Sequence, residues 1–174
     1  GMMAHWGLYT LLGGEWNGRP GRHAYGEWIQ WGEKIPMKDY GALAKAFNPI
    51  MFNPKDWMKR ARDAGMKYFV FTSKHHDGYA LWPSSVTPYY NSVALGSGRD
   101  LAGEFCKAMR EAGLKRGFYF SMLEYANPQY PGGRDSKRTE ASLSIADWNR
   151  FVNFPQLKDL ANRYEADIIW PDGE

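Results

Sequence analysis

The apolar positions of the chain fall into short runs separated by segments of helical spacing. Residues 68–72, Tyr-Phe-Val-Phe-Thr, are aromatic and β-branched without alternating polar positions. That is the pattern of a strand buried on both faces, as in a parallel sheet flanked by helices. A similar run covers 114–121, another 166–172, and a shorter one 2–9, ending in His5-Trp6-Gly7-Leu8-Tyr9. Between them the period changes. Asn53-Pro54 with Asp56 opens a helix whose apolar face is Trp57, Met58, Ala61 and Ala64 and which Gly65 stops. Asp100 opens a second helix through Leu101, Phe105, Met109 and Ala112, stopped by Gly113, and a third runs from Pro155 to Tyr164. A weaker helical spacing lies in 37–47. Residues 13–36 and 125–142 show no sustained period and read as long loops, the first with room for a short helical piece, and such loops in compact domains tend to carry function.

The order strand, long excursion with a helix, strand, helix, strand, helix, strand implies a parallel α/β sheet. Each strand ends in polar chemistry. Lys74, His75, His76 and Asp77 follow the 68–72 run; His5 and Trp6 follow the first, Tyr119 and Glu124 lie at the third, and Asp172 at the last. In an open doubly wound sheet the site draws on two strands, whereas in a barrel every strand's carboxyl end converges on one mouth. Four loaded strand ends favour a (β/α)8-like TIM barrel, of which about the first four βα units are expected here. The chain opens on Gly1 to Gly7 and stops at Trp170 to Glu174, both strand-to-loop transitions, so residues 1–174 are expected to be one partial barrel domain cut from a longer protein.

With 174 residues, 44% hydrophobic and 24% charged, the chain has the composition of an ordinary globular domain. Aromatics stand out: 8 Trp, 11 Tyr and 9 Phe make up 16%, and such rings suit concave ligand sites and the flat faces of sugars. Basic and acidic residues, 22 and 19, are interspersed, so no nucleic-acid surface is expected. The single Cys106 excludes an internal disulfide and reads as an inert core thiol. No leader pattern and no apolar run approaching about 18 residues is present, so no membrane partner is expected.

Several chemistries are disfavoured. His5, His75, His76, Asp77 and Asp172 are metal-ligand types, but adjacent strand residues point to opposite faces. His75 and His76 could share an ion only where the chain has left extended geometry. No glycine-rich phosphate loop and no Gly-x-Ser-x-Gly elbow occurs. What remains is carboxylate chemistry on a sugar. Asp172 at a strand end could serve as the nucleophile of a retaining glycosidase, with a second carboxyl about 5–5.5 Å away. It could equally be a turn residue before Gly173, as Asp77-Gly78 could be a plain turn pair.

The motifs His5-Trp6-Gly7-Leu8-Tyr9, Gly26-Glu27-Trp28, Lys74-His75-His76-Asp77-Gly78, Leu81-Trp82-Pro83-Ser84, Arg99-Asp100-Leu101, Gly117 to Ser121 and Ile169-Trp170-Pro171-Asp172-Gly173 run in order along the whole chain. Together they resemble the catalytic domain of the α-L-fucosidases of glycoside hydrolase family 29. The paired histidines are the most specific element. The resemblance implies a retaining exo-glycosidase that hydrolyses terminal α-L-fucosyl linkages of fucosylated glycans, without metal or other cofactor. It implies Asp172 as nucleophile, with His5, Glu27, Trp28, His75, His76 and Tyr119 binding the sugar and aromatic rings against its methyl group. Pro171 stands where many relatives carry Phe or Asn, and Tyr125 where Trp is common. The acid/base carboxylate is expected outside these residues, since Glu174 adjoins the nucleophile and Glu27 matches a binding position. The 174 residues alone are therefore expected to be inactive and, with both sheet edges unpaired, poorly soluble. Relatives of this kind are commonly secreted, periplasmic or lysosomal. The alternatives are a barrel glycosidase for another sugar and a non-catalytic fucose-binding relative.

Overall fold

The computed structural model describes residues 1–23, 25–125, 127–132 and 140–173. Its centre is a four-stranded sheet of β1 (Met2–Ala4), β4 (Tyr68–Lys74), β5 (Lys115–Ser121) and β6 (Ile168–Asp172), ordered β1-β4-β5-β6. Every pairing is parallel. The sheet thus follows chain order, as repeated βα units require. β4 and β5 carry the core: Phe69 to Lys74 and Gly117 to Ser121 are all buried.

The helices form where their caps stand. In α3 (Pro54–Asp63) the Asn53 side chain accepts from Lys55 N at 3.1 Å, and in α4 (Leu101–Glu111) Asp100 accepts from Gly103 N at 2.9 Å. Both helices end identically. Gly65 N bonds Arg62 O and Met66 N bonds Ala61 O, while Gly113 N bonds Arg110 O and Leu114 N bonds Met109 O, the Schellman closure that a left-handed glycine permits. α4 lays Phe105 on the sheet, stacked on Phe71 at 3.9 Å, with Cys106 buried beside it and its thiol pushed up to about 12 by burial. α6 (Phe154–Tyr164) packs on α4 and feeds β6. No described helix is long and apolar enough to cross a membrane.

The structure corrects several expectations. The first strand stops at Ala4, not residue 9, because Thr10 N and Thr10 Oγ1 both bond Gly7 O and wind Leu8–Leu12 into a 3-10 helix. Ala64 is exposed and Trp57 is 38% exposed, leaving Met58 and Ala61 as the buried face of α3. The 13–36 stretch holds a small hairpin, β2 (Glu15–Trp16) with β3 (Arg19–Pro20), then a 3-10 turn at Gly26–Trp28 and α1 (Ile29–Gly32). The weakly helical 37–47 segment is α2 (Met37–Ala42) continued as 3-10 helix. A helical approach to α6, made of α5 (Ile145–Trp148) and a π-helical turn at Asn149–Asn153, was not legible. Glu174 lies outside the described residues.

Candidate functional site

The sugar-reading residues expected from the sequence converge at the carboxyl ends of the parallel strands. β4 ends at Lys74, and the chain turns at once, closed by Gly78 N on His75 O at 3.0 Å. Extended geometry is therefore lost where the histidines begin, and their rings lie side by side, 4.2 Å apart. Just before this turn the pairing of β4 with β5 shifts register between Thr72 and Lys74, an irregularity that re-aims side chains. His5, one residue past β1, sets its ring edge-on to His75 (4.9 Å) and to Tyr119 (4.6 Å), while Tyr119 stacks on His75 at 5.1 Å. Trp28 approaches His76 at 5.7 Å, and Glu27 beside it is half-buried. Asp172, at the end of β6, receives the Tyr119 hydroxyl at 2.5 Å and keeps its side chain 49% exposed. All seven expected residues thus meet in one cluster.

Hydrogen bonds fix which nitrogens face outward. Thr72 Oγ1 donates to Ala4 O, so its 2.9 Å contact with His5 Nδ1 is accepted from an N–H, leaving Nε2 as a bare acceptor. Ser121 Oγ donates to Leu123 O and takes up Leu123 N, so it accepts from His76 Nδ1 at 2.7 Å. The free His76 Nε2 then lies 3.9 Å from Asp172 Oδ2. Burial favours the neutral form of all three imidazoles. It drives His75 to about 2, with His76 and His5 adding to the depression, and His76 to about 4 against the pull of Asp172; His5 is lowered too, against Glu27 and Asp172. Neutral rings offering lone pairs, beside two carboxylates and an indole face, form a surface suited to a polyhydroxylated ligand. Donor atoms of His5, Glu27 and His75 also lie within 4.8 Å of one another, a trio with the chemistry to hold a metal ion.

Three ionisable groups near these strand ends take a different part. Lys74 is fully buried, with Nζ 2.6 Å from Glu124 Oε1, 2.9 Å from Gln156 Oε1 and 4.3 Å from the Phe120 ring centre. Asp77 is buried, receiving Tyr40 Oη–H at 2.8 Å and Tyr79 N–H at 3.1 Å. These residues brace the turn from behind, and for Asp77-Gly78 the plain turn reading is correct. The supporting hydroxyls Thr72 and Ser121 were missed. Their signal was a polar residue inside, or at the end of, an otherwise apolar strand. A broad concavity of 1050 Å³ bordered by Gly78, Tyr90 and Glu124 adjoins the cluster but includes none of the seven residues; the convergent side chains, not its size, mark the site.

Comparison with known proteins identifies the family. The family model described as Alpha-L-fucosidase matches residues 1–174. The tissue alpha-L-fucosidase of Bos taurus is 38% identical over 192 residues, covering 100% of this chain and 37% of that protein. The Rattus norvegicus enzyme is 34% identical, with 38% of it covered. Among solved structures, an alpha-L-fucosidase GH29 from Bacteroides thetaiotaomicron superposes with TM-score 0.87 at 39% identity, over 99% of this chain and 38% of that one. Alpha-L-fucosidase AlfC from Lactobacillus casei, in complex with its alpha-L-fucose product, gives 0.86 at 38% identity, over 99% and 57%. The chain therefore spans well under half the length of the curated relatives it matches.

Proposed function

Because the chain belongs to the alpha-L-fucosidase family, we propose that it forms the sugar-reading and nucleophile-bearing part of a retaining exo-α-L-fucosidase. The four-strand sheet is then the first half of a single (β/α)8 barrel domain, and the substrate a fucosylated glycan. One observation carries the reading: Asp172 sits half-exposed at a strand end, oriented by Tyr119 and facing neutral histidines. A rigidly held carboxylate with an open face is what attack on an anomeric carbon needs.

In this reading Asp172 Oδ attacks the fucosyl anomeric carbon and the aglycone oxygen leaves with a proton from an acid/base carboxyl outside residues 1–174. Water, deprotonated by the same group, then releases fucose with its configuration retained. Tyr119 holds the carboxylate in line. His5, Glu27, His75 and His76 bond the ring hydroxyls, and Trp28 walls the site. The Nε2 of His76 and the Asp172 carboxylate are two acceptors 3.9 Å apart, an arrangement that a bound hydroxyl proton relieves. A homologue at 36% identity, from Bacteroides thetaiotaomicron, is described as a GH29 covalent intermediate trapped with 2-fluoro-fucosyl fluoride, which supports the same course here.

The test is labelling of the intact protein with that fluorosugar, followed by peptide mass spectrometry. The expected label is on the peptide carrying Asp172. A label on another carboxylate, or none together with turnover of a different aryl glycoside, would reject the assignment.

A further inference from the structure

The aromatic wall of the site does not stop at Trp28. Beyond its 5.7 Å approach to His76, Trp28 meets Trp31 edge-on at 5.6 Å, and the His23 ring lies 4.9 Å from Trp31 at an angle of 35°. His23 and Trp28 are 6.2 Å apart. The strip leads from the interior to solvent. His76 is 3% exposed and Trp28 37%, while His23 is exposed and Trp31 half-buried between them. Neither His23 nor Trp31 belongs to the sugar-reading cluster.

The position of His23 is held from three sides. Arg22 N donates to Glu33 Oε1 at 2.7 Å, and the Arg22 guanidinium lies 3.8 Å from Glu33 Oε2, which fastens this loop to the end of α1. One residue earlier, Gly21 N donates to Gly14 O at 2.8 Å. The His23 ring then rests against Gly32, where a Cβ would collide with it. A glycine at that position is what lets the imidazole lie over Trp31. An exposed ring fastened in this way adds little to the core; it presents a flat face to solvent. Contiguous exposed rings beside a polar site mark an interaction surface.

We propose that Trp28 and His23, with Trp31 holding them, form a platform for the pyranose that follows fucose in the glycan. The inference rests on the fucosidase reading and adds the second sugar to it. A terminal fucose seated on His5, His75 and His76 leaves the rest of the glycan only the solvent side to run along. The strip begins at His76 and climbs to that side. The C–H face of a pyranose packs on such rings while its hydroxyls stay in water. The platform therefore selects a second sugar by its continuous apolar face, and His23 acts on specificity without touching the reacting atoms.

The experiment compares two substrates of the intact protein. α-L-Fucosyl fluoride has no second ring; a fucosylated disaccharide, the linkage isomer turned over fastest, has one. His23→Ala is expected to lower kcat/KM on the disaccharide about three- to tenfold, mainly through KM, the scale of one ring contact. On the fluoride it should change kcat/KM by less than about twofold. His23→Phe, which keeps a flat ring, should stay near the wild type on both. An equal loss on the two substrates, no loss on any disaccharide, or His23→Phe as impaired as His23→Ala would overturn the proposal. Saturation-transfer NMR of Asp172→Asn protein with the same disaccharides gives an arm without turnover. Saturation is expected on ring protons of the second sugar and should be lost in Asp172→Asn/His23→Ala. That transfer in a protein that turns over no fucoside would reject the fucosidase reading and leave the platform standing. Its absence in a protein that does turn over fucosides would reject the platform alone.

Discussion

Lys74 is the residue whose removal the structure prices most clearly. Its side chain is 0% exposed, and its partner Glu124 is 2% exposed at 2.6 Å. Burial lowers the pKa of the ammonium while Glu124 opposes the shift. Lys74→Met keeps the length of the side chain but strands a carboxylate in the interior with, among the described residues, one remaining side-chain donor, Asn127 Nδ2 at 3.2 Å. Breaking a buried pair from one side costs about 3–5 kcal/mol, chiefly because the surviving charge is uncompensated. Against a total stability of about 5–15 kcal/mol that is a large loss. Lys74→Met/Glu124→Gln removes the stranded charge and should recover more than half of it. Urea unfolding of the four proteins of the cycle, read as midpoints at constant slope, gives the coupling. A single-variant loss below about 1 kcal/mol, or a double variant as unstable as the sum of the singles, would refute the claim that this pair braces the histidine turn.

Two further outcomes follow from the same geometry. Gly173 has φ +86°, and a Cβ there would lie 2.5 Å from Leu123 Cγ; Gly173→Ala should cost about 1–3 kcal/mol and lower kcat/KM by displacing Asp172, and unchanged unfolding and kinetics would contradict this. Burial raises Asp77 from 3.8 to about 6, against its bonds from Tyr40 and Tyr79. A raised native pKa means the folded state holds the proton longer, so this stabilisation is full below about pH 4 and lost as pH rises through about 6, some 3 kcal/mol in all. Asp77→Asn should flatten that part of the stability curve, and an unaltered slope in urea midpoints across pH 4–7 would count against it.

The parallel sheet could be read in advance because its signals are local. The apolar run is buried from Phe69 to Thr72, with Tyr68 at its start exposed, and the Asn53 and Asp100 caps with Gly65 and Gly113 fix where the helices start and stop. The first strand was read too long because apolar character at Leu8 and Tyr9 is shared by buried strands and buried 3-10 turns; the bond from Thr10 to Gly7 decides between them. The site was legible as a set of residue types but not as a division of labour. Lys74, His75, His76 and Asp77 are consecutive, equally polar and all buried, yet the turn sets the two histidines against His5, Tyr119 and Asp172 and ties the other two to Tyr40, Glu124 and Gln156. Partners 37 to 82 residues away, Tyr40, Glu124 and Gln156, determine that outcome, and no local pattern contains them. Thr72 and Ser121 acquire their role only through strand pairing, which brings each beneath a different histidine.

The central claim is that His75 and His76 recognise while Asp172 reacts. Asp172→Gly in the intact protein, assayed on an aryl α-L-fucoside with and without azide, tests it most directly. The account predicts a loss of several orders of magnitude in kcat with folding intact, and partial rescue by azide with fucosyl azide as product. Wild-type rates in Asp172→Gly would contradict it.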